Sequence, residues 1–238
     1  MQIPDFFSAV PHIRLRDPLA GFLGASVDGI VDYSYLDVVK LAGHSCPTVA
    51  SAYGLTRQAL RLLYAEELPL RGGLQVEFAA AAADGVTGVI AAVVSLLTGA
   101  AGEGGFKGLG GQFVRRGLLS FGAALPLLLR FTRCDGHGAV DAAANLAGVP
   151  ADPCCSAVSR GLPLPTKRSA SVGCGRIACA EFCLTTATIP ACSSFVAACE
   201  PGRVVAARAA VKGGYSWPAA DDDARGPQWP SCSPVSTA

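Results

Sequence analysis

The sequence lacks several features that mark particular classes of protein. It has no lysine- and arginine-rich run with interleaved aromatic residues, and its formal net charge is only +1, which argues against nucleic acid as a main partner. Its N-terminus has no basic stretch followed by an apolar one, so we expect no signal peptide and a cytoplasmic protein. The most hydrophobic stretch, 86–101, is interrupted by glycine, serine and threonine and is shorter than the about 20 apolar residues that span a bilayer. We expect a buried core helix there, and no membrane partner.

The composition divides the chain into two regions. Residues 1–153 contain 22 leucines and two cysteines, Cys46 and Cys134, whereas residues 154–238 contain three leucines and eight cysteines. The first region is long enough to bury a sizeable core, and the second shows no hydrophobic period. The sequence therefore predicts a single domain at 1–153, followed by an irregular, disordered tail at 154–238.

The cysteine-rich tail fits neither function that its cysteines suggest. A disulfide framework is unusual in the cytosol, and a zinc site at Cys174, Cys179 and Cys183 lacks both a CxxC pair and a histidine. A third hypothesis is a frameshift: with permitted codons, the shifted frame places Leu, Val and Ile at helical spacing between charges, and Cys199-Glu200 supplies a stop codon. We favour the frameshift hypothesis and assign no function to the tail cysteines.

Helical and strand-like patterns alternate along the first region. Pro47 suits the first turn of a helix, with Ser45 or Cys46 as its N-cap, and Asp135-Gly136 suits a hairpin turn. The patterns predict helices at about 47–67 and 84–97 and strands at 74–78, 118–121, 125–133 and 137–144. Together they predict an α+β fold in which helices cover a mixed or antiparallel sheet.

The residues best suited to chemistry are His44 and Cys46, at the start of the first long helix. Partial positive charge at a helix start favours a thiolate, and the neighbouring imidazole can accept the proton or share a metal ion. The pair is therefore a candidate nucleophile and base, or two ligands of a zinc or similar ion that takes further ligands from elsewhere. A structural role is the simpler alternative, since a lone cysteine often behaves as a small buried hydrophobe.

A glycine-rich loop at 99–111 is a second candidate. The backbone N–H groups of Gly102, Gly104 and Gly105 could bind an anion, and Lys107 would add charge. The spacing matches neither a Walker A loop nor GxGxxG. A tight connection that contains several residues with positive φ explains the glycines more simply, so ligand binding is the secondary interpretation.

Two segments carry a family resemblance. The segment Ala42-Gly43-His44-Ser45-Cys46-Pro47 resembles the His-Gly-His-x-Cys-Pro signature of the formylmethanofuran dehydrogenase FmdE family, with Ala42 in place of the first histidine. The segment Thr98-Gly99-Ala100-Ala101, followed by the glycine-rich loop, is similar to the family's Thr-Gly-Cys-Thr segment without its cysteine. The resemblance covers roughly 35–121. It implies a metal-binding domain, usually with zinc, that is encoded alongside a molybdenum or tungsten dehydrogenase of one-carbon metabolism and tends to form homodimers.

Three functions remain open at this point. The first is a metal-binding accessory protein that uses His44 and Cys46 as part of a mononuclear site. The second is an enzyme in which His44 activates Cys46 as a nucleophile toward a small formyl or acyl substrate held near 102–107. The third is a non-catalytic, dimerising domain.

Overall fold

The structure, a computed structural model, describes residues 3–144 and, as backbone, Val204–Ala209. A 3₁₀ helix at Asp5–Ala9 precedes a small antiparallel sheet of β1, Ile13–Arg16, and β2, Ile30–Tyr33, which are joined through the short helix α1, Pro18–Phe22. The remaining elements are α2 (Tyr35–Ala42), α3 (Pro47–Tyr64), β3 (Leu74–Phe78), α4 (Thr87–Thr98), β4 (Leu119–Phe121), β5 (Leu129–Arg133), β6 (Ala139–Ala144) and β7 (Val204–Ala209).

The larger sheet is mixed. Its strand order is β4-β3-β5-β6-β7, in which β3 and β4 are parallel and every other neighbouring pair is antiparallel. The parallel pair follows from the connection through α4, because parallel neighbours need a crossover rather than a hairpin. The predicted α+β class with a helix-covered mixed sheet is confirmed. β7 lies in the segment that the sequence assigns to the tail, and the rest of that tail, with its cysteines, lies outside the described residues.

The core lies between the larger sheet and the helices. Along β3, the buried residues Leu74, Val76 and Phe78 alternate with half-buried Gln75 and Glu77, as the period of two along a strand requires. α3 is the central helix, because thirteen of its eighteen residues are buried, and it contacts α2, α4 and β6. The start of α3 is consequently held in place by packing further along the helix.

One ion pair ties two central strands of the sheet together. Arg130 on β5 and Asp141 on β6 lie directly opposite each other in the antiparallel register. The guanidinium donates two hydrogen bonds, of 2.7 and 2.8 Å, to the two carboxylate oxygens. This bidentate geometry is the strong form of an arginine–carboxylate contact, so the pair supports the β5–β6 register.

The larger predicted elements are confirmed, with shifted ends. β3 has the predicted bounds, whereas α3 ends at Tyr64 rather than near Glu67, and α4 begins at Thr87 rather than near Asp84. The stretch that we expected to form a buried core helix is α4, with Ile90, Val94 and most of its inward face buried. No helix in the described part of the chain combines the length and the apolar character that a membrane span requires.

Candidate functional site

The predicted site at the start of α3 is built by two adjacent helix ends. α2 ends at Ala42 and is followed by its C-cap Gly43, whose φ of 77° lies in the left-handed region that glycine adopts readily. α3 begins at Pro47, with Cys46 as its N-cap. The Cys46 side chain makes no capping hydrogen bond, so its sulfur is not used to satisfy the helix end. Between the two helices, the Ser45 hydroxyl lies 2.9 Å from that of the buried Tyr35 and anchors the turn to the core.

His44 and Cys46 differ in exposure. His44 is exposed, and its Nδ1 lies 2.9 Å from the carbonyl oxygen of Ala42, which leaves Nε2 as the outward nitrogen. Cys46 is half-buried against the core and carries a free thiol, whereas Cys134 is disulfide-bonded. A disulfide is more usual outside the cytosol, so the cytoplasmic location stays a prediction.

The donor set of this pair suits zinc in kind but falls short in number. Imidazole nitrogen and thiolate sulfur are common zinc ligands, and a structural zinc site takes four ligands. Among residues 3–144, the structure brings no three His, Cys, Asp or Glu side chains together in an arrangement that could hold a metal ion. His44 and Cys46 are therefore at most two members of a larger set.

The glycine-rich loop lies elsewhere and is held by its own packing. Gly105 donates a hydrogen bond to the carbonyl of Gly102, and a methyl group at Gly105 would lie 2.6 Å from the side chain of Ala101. Lys107 is exposed and makes no ion pair with another described residue. Positive φ, which we expected in this loop, is found at Gly108, Gly110 and Gly111 and at the preceding helix end. Close packing explains Gly105 and turn geometry explains Gly108, Gly110 and Gly111, whereas neither constraint is found at Gly102 or Gly104.

The structure contains a cavity that the sequence did not predict. Its volume is about 290 Å³, near the lower end of the roughly 300–1,000 Å³ typical of small-molecule sites. Its walls come from the end of β1, the end of α3, the segment 70–73, the loop 111–115 and the turn after β5. His44, Cys46 and the predicted residues of the glycine-rich loop do not line it. The chain therefore has two separate candidate sites.

An ion-pair cluster supports part of the cavity wall: Arg71 and Arg115 line the cavity, and Asp17, which does not, pairs with both. Asp17 accepts one hydrogen bond from Arg115, at 2.7 Å, and one from Arg71, at 2.8 Å, each on a different carboxylate oxygen. The same carboxylate caps α1 by accepting from the backbone N–H groups of Leu19 and Ala20. Burial raises the pKa of Asp17, but the neighbouring positive charges and hydrogen bonds lower it by more, so the net shift is downward. Asp17 is therefore ionised at neutral pH.

Arg71 and Arg115 are positioned by the C-terminal end of α4. Arg71 donates two hydrogen bonds to the carbonyl of Leu96, one of the last carbonyls of the helix, where a cation is favoured. The Arg115 guanidinium packs against Gly72 and Gly99, and a methyl group on Gly99 would lie 2.5 Å from its Nη1. A methyl group on Gly72 would overlap the same guanidinium. Glycine at these positions therefore makes room for a buried arginine.

A second cluster in the cavity lining surrounds Arg133. Its guanidinium stacks over the ring of Tyr64 at 4.1 Å and donates to Asp135 at 2.6 Å and to Glu67 at 3.3 Å. Burial raises the pKa of Tyr64 to about 12, so the phenol stays neutral at neutral pH. Burial also raises the pKa of Asp135, but hydrogen bonds from Arg133 and from the backbone of His137 reverse that effect and leave it lowered. This cluster carries two carboxylates and one guanidinium.

The signals for this cavity in the sequence were local and easily missed. Asp17-Pro18 has the form of a helix N-cap followed by proline at the first helical position, which marks the short helix α1 but not its ion pairs. Arg71 and Arg115 each lie in loops next to glycines, where arginine is usually exposed. Only contacts across 54 and 98 residues of the chain bring both arginines to the Asp17 carboxylate.

No family model matches the chain, and no curated protein matches it significantly. The resemblance to the FmdE family therefore stays a prediction. The described residues define an α+β protein with a His-x-Cys pair at one helix start and a separate arginine-lined cavity.

Proposed function

We propose that this protein is a metal-binding accessory domain of the FmdE type, related to formylmethanofuran dehydrogenase and one-carbon metabolism, in which His44 and Cys46 bind a zinc ion. One observation carries the proposal: an exposed imidazole and a free thiol lie one residue apart at the start of α3. The sequence resemblance at this segment supports the same assignment.

The surroundings of His44 agree with a ligand role. Histidines that bind a metal commonly donate their other ring N–H to a carbonyl or carboxylate, which fixes the tautomer and the ring orientation. The 2.9 Å contact between Nδ1 and the Ala42 carbonyl has this form, with Nδ1 as the donor, and it leaves Nε2 available for the ion. Cys46 would supply a thiolate, a ligand that zinc accepts readily.

The remaining ligands would come from outside this pair. We propose a homodimer in the cytoplasm, with a molybdenum or tungsten dehydrogenase as a further partner, as the resemblance implies. If the site lies on the two-fold axis of a symmetric dimer, the His-x-Cys pairs of both copies meet there and together supply four ligands.

The test is elemental analysis of the full chain purified in the presence of zinc. We compare the wild type with His44→Ala and Cys46→Ala, and with His12→Ala as a matched control, because His12 is an exposed histidine that pairs only with Asp32 among the described residues. Zinc at one equivalent per chain, or at half an equivalent if two chains share it, should be lost in both site variants and kept in the control. Equal zinc in all four proteins would refute the assignment of these ligands.

A second candidate function is thiol chemistry at Cys46 without metal. It is favoured by the position of Cys46 as the N-cap of an 18-residue helix, because reactive cysteines are often found at helix N-termini. His44 would then act as base toward a small formyl or acyl substrate, with Gly102, Gly104, Gly105 and Lys107 as the proposed ligand loop. Metal-free protein in which iodoacetamide alkylates Cys46 rapidly, and more slowly in His44→Ala, would support this function over zinc binding.

A further inference from the structure

We infer that the arginine-lined cavity is a binding site for a small organic monocarboxylate. This site is separate from His44 and Cys46 and does not depend on the metal proposal, because neither residue lines the cavity. The inference rests on the charges around the cavity and on the size and chemistry of its wall.

Among the described residues, the charged groups that line the cavity and their ion-pair partners carry an excess of one positive charge. Four arginines line it, Arg16, Arg71, Arg115 and Arg133. Three carboxylates pair with them or lie in the wall, namely Asp17, Glu67 and Asp135. Arg16 is exposed and makes no ion pair with another described residue, so the excess lies on its side of the cavity. A monoanion bound beside Arg16 balances the charge.

Arg115 has hydrogen-bonding capacity that the described residues do not use. Its residue exposure is only 6%, and its Nη1 is buried without a hydrogen-bond partner, while Nη2 is committed to Asp17. Nη1 packs against Gly72 and Gly99 and has almost no accessible surface, so Arg115 adds positive charge to the wall without offering the cavity a free donor. Burial lowers the pKa of Arg115 and the charge of Arg71 adds to this effect, whereas the Asp17 carboxylate opposes both.

A carboxylate fits these groups better than other anions do. The planar guanidinium matches the two oxygens of a carboxylate, and an excess of a single charge matches a monocarboxylate rather than a phosphate dianion. Leu68, Leu70, Phe113 and Val114 add apolar surface to the lining, so the ligand also has a hydrocarbon body. The cavity volume of about 290 Å³ limits the ligand to a small molecule.

Glu67 and Asp135 both pair with Arg133, and the three together give their part of the lining a net negative charge. A hydroxyl or amino group at the far end of the ligand could donate hydrogen bonds to them. Glu67 is the more accessible of the two, with 48% of its side chain exposed, against 22% for Asp135. We therefore expect 4-hydroxybenzoate to bind more tightly than benzoate, since it adds a donor at the end opposite the carboxylate.

The test uses the full chain and ligand-observed NMR titrations with benzoate, 4-hydroxybenzoate and straight-chain monocarboxylates of three to eight carbons. Benzamide serves as the neutral analogue, and inorganic phosphate serves as an anion without a hydrocarbon body. We expect saturable binding of at least one monocarboxylate, binding at least tenfold weaker for benzamide than for benzoate, and no comparable binding of phosphate. Saturable binding that weakens as salt is added is also expected, because the site is charged.

Arg16→Gln and Arg14→Gln form a matched pair of variants. Both arginines are exposed on β1, two residues apart and therefore on the same face of the strand, but only Arg16 lines the cavity. Arg16→Gln should weaken carboxylate binding by about tenfold or more, as the loss of a charge-assisted contact implies, while Arg14→Gln should leave it unchanged. Far-UV circular dichroism checks that both variants fold.

Three results would overturn the inference. The first is the absence of saturable binding for every monocarboxylate tested. The second is equal binding in the two arginine variants, which would place the ligand elsewhere on the chain. The third is tighter binding of phosphate or benzamide than of any carboxylate, which would contradict the chemistry assigned to the cavity.

Discussion

Replacing Asp17 by asparagine should destabilise the protein by about 3 kcal/mol, because it leaves two arginines without their shared counter-ion. Asp17 is nearly inaccessible, with 5% of its side chain exposed, and it accepts hydrogen bonds from Arg71 and Arg115 on separate oxygens. Asparagine can keep one oxygen toward Arg115, but its amide nitrogen then faces Arg71, which is also a donor. Breaking a buried ion pair by removing one partner typically costs about 3–5 kcal/mol, and the remaining oxygen places the expected loss at the lower end.

The substitution Asp17→Ala should lower the free energy of unfolding by about 1 kcal/mol more than Asp17→Asn does. Alanine also removes the cap of α1, where Asp17 accepts from the backbone of Leu19 and Ala20, and losing an N-cap costs about 1 kcal/mol. Asparagine is as good an N-cap as aspartate and keeps that contribution. The difference between the two variants therefore separates the capping role from the ion-pair role.

The assay is urea unfolding of the full chain followed by far-UV circular dichroism. Asp32→Asn is the control, since Asp32 is 47% exposed and pairs with the exposed His12, so its loss should change the free energy of unfolding by less than about 0.5 kcal/mol. If Asp17→Asn falls within about 1 kcal/mol of this control, the two arginines do not depend on Asp17 and the argument fails.

Four further outcomes can be checked in the same preparations. The carboxyl pKa of Asp17 is lowered below 3.8, so the contribution of its ion pairs to folding stability should be complete above that pH and lost as the pH falls further. In urea unfolding, the difference in free energy of unfolding between wild type and Asp17→Asn should therefore narrow below pH 3.8, and a wider difference would contradict the argument. Gly72→Ala should destabilise the protein by about 1–3 kcal/mol more than Gly43→Ala, because only Gly72 packs against the Arg115 guanidinium. The two glycines have similar φ angles, 82° and 77°, so backbone strain is matched, and equal melting temperatures would contradict the contact. Phe131→Ala, at a fully buried position of β5, should cost about 3–5 kcal/mol in urea unfolding, and a loss under 1 kcal/mol would mean that the site is not core. Zinc should slow alkylation of Cys46, measured by peptide mass spectrometry, and no protection would count against its role as a ligand.

The sequence alone determined the elements whose patterns repeat locally. β3 was predicted to the residue, because Leu74, Val76 and Phe78 alternate with polar neighbours on a strand that buries one face. α3 and α4 were predicted from apolar spacing, and the turn at Asp135-Gly136 was predicted from its residue types. These signals depend only on neighbours along the chain, so they can be read without knowledge of the fold.

The short N-terminal elements were not predicted. β1 and β2 have four residues each and α1 has five, and such lengths give too few repeats for a period to be recognised. Their geometry is determined by partners in sequence-distant segments. Arg16, for example, donates its backbone N–H to the carbonyl of Pro69, and Arg71 donates back to the carbonyl of Arg16.

The two candidate sites also differ in whether the sequence alone could predict them. His44 and Cys46 could be proposed from the sequence because both belong to one turn and one helix start, so their proximity follows from spacing alone. The cavity depends on Arg71 and Arg115, which reach Asp17 across 54 and 98 residues and are held there by the end of α4 and by two glycines. Local periodicity carries no information about such pairings. Only the tertiary structure brings these separate loops to the Asp17 carboxylate, and it therefore determines where the charge of Asp17 is buried.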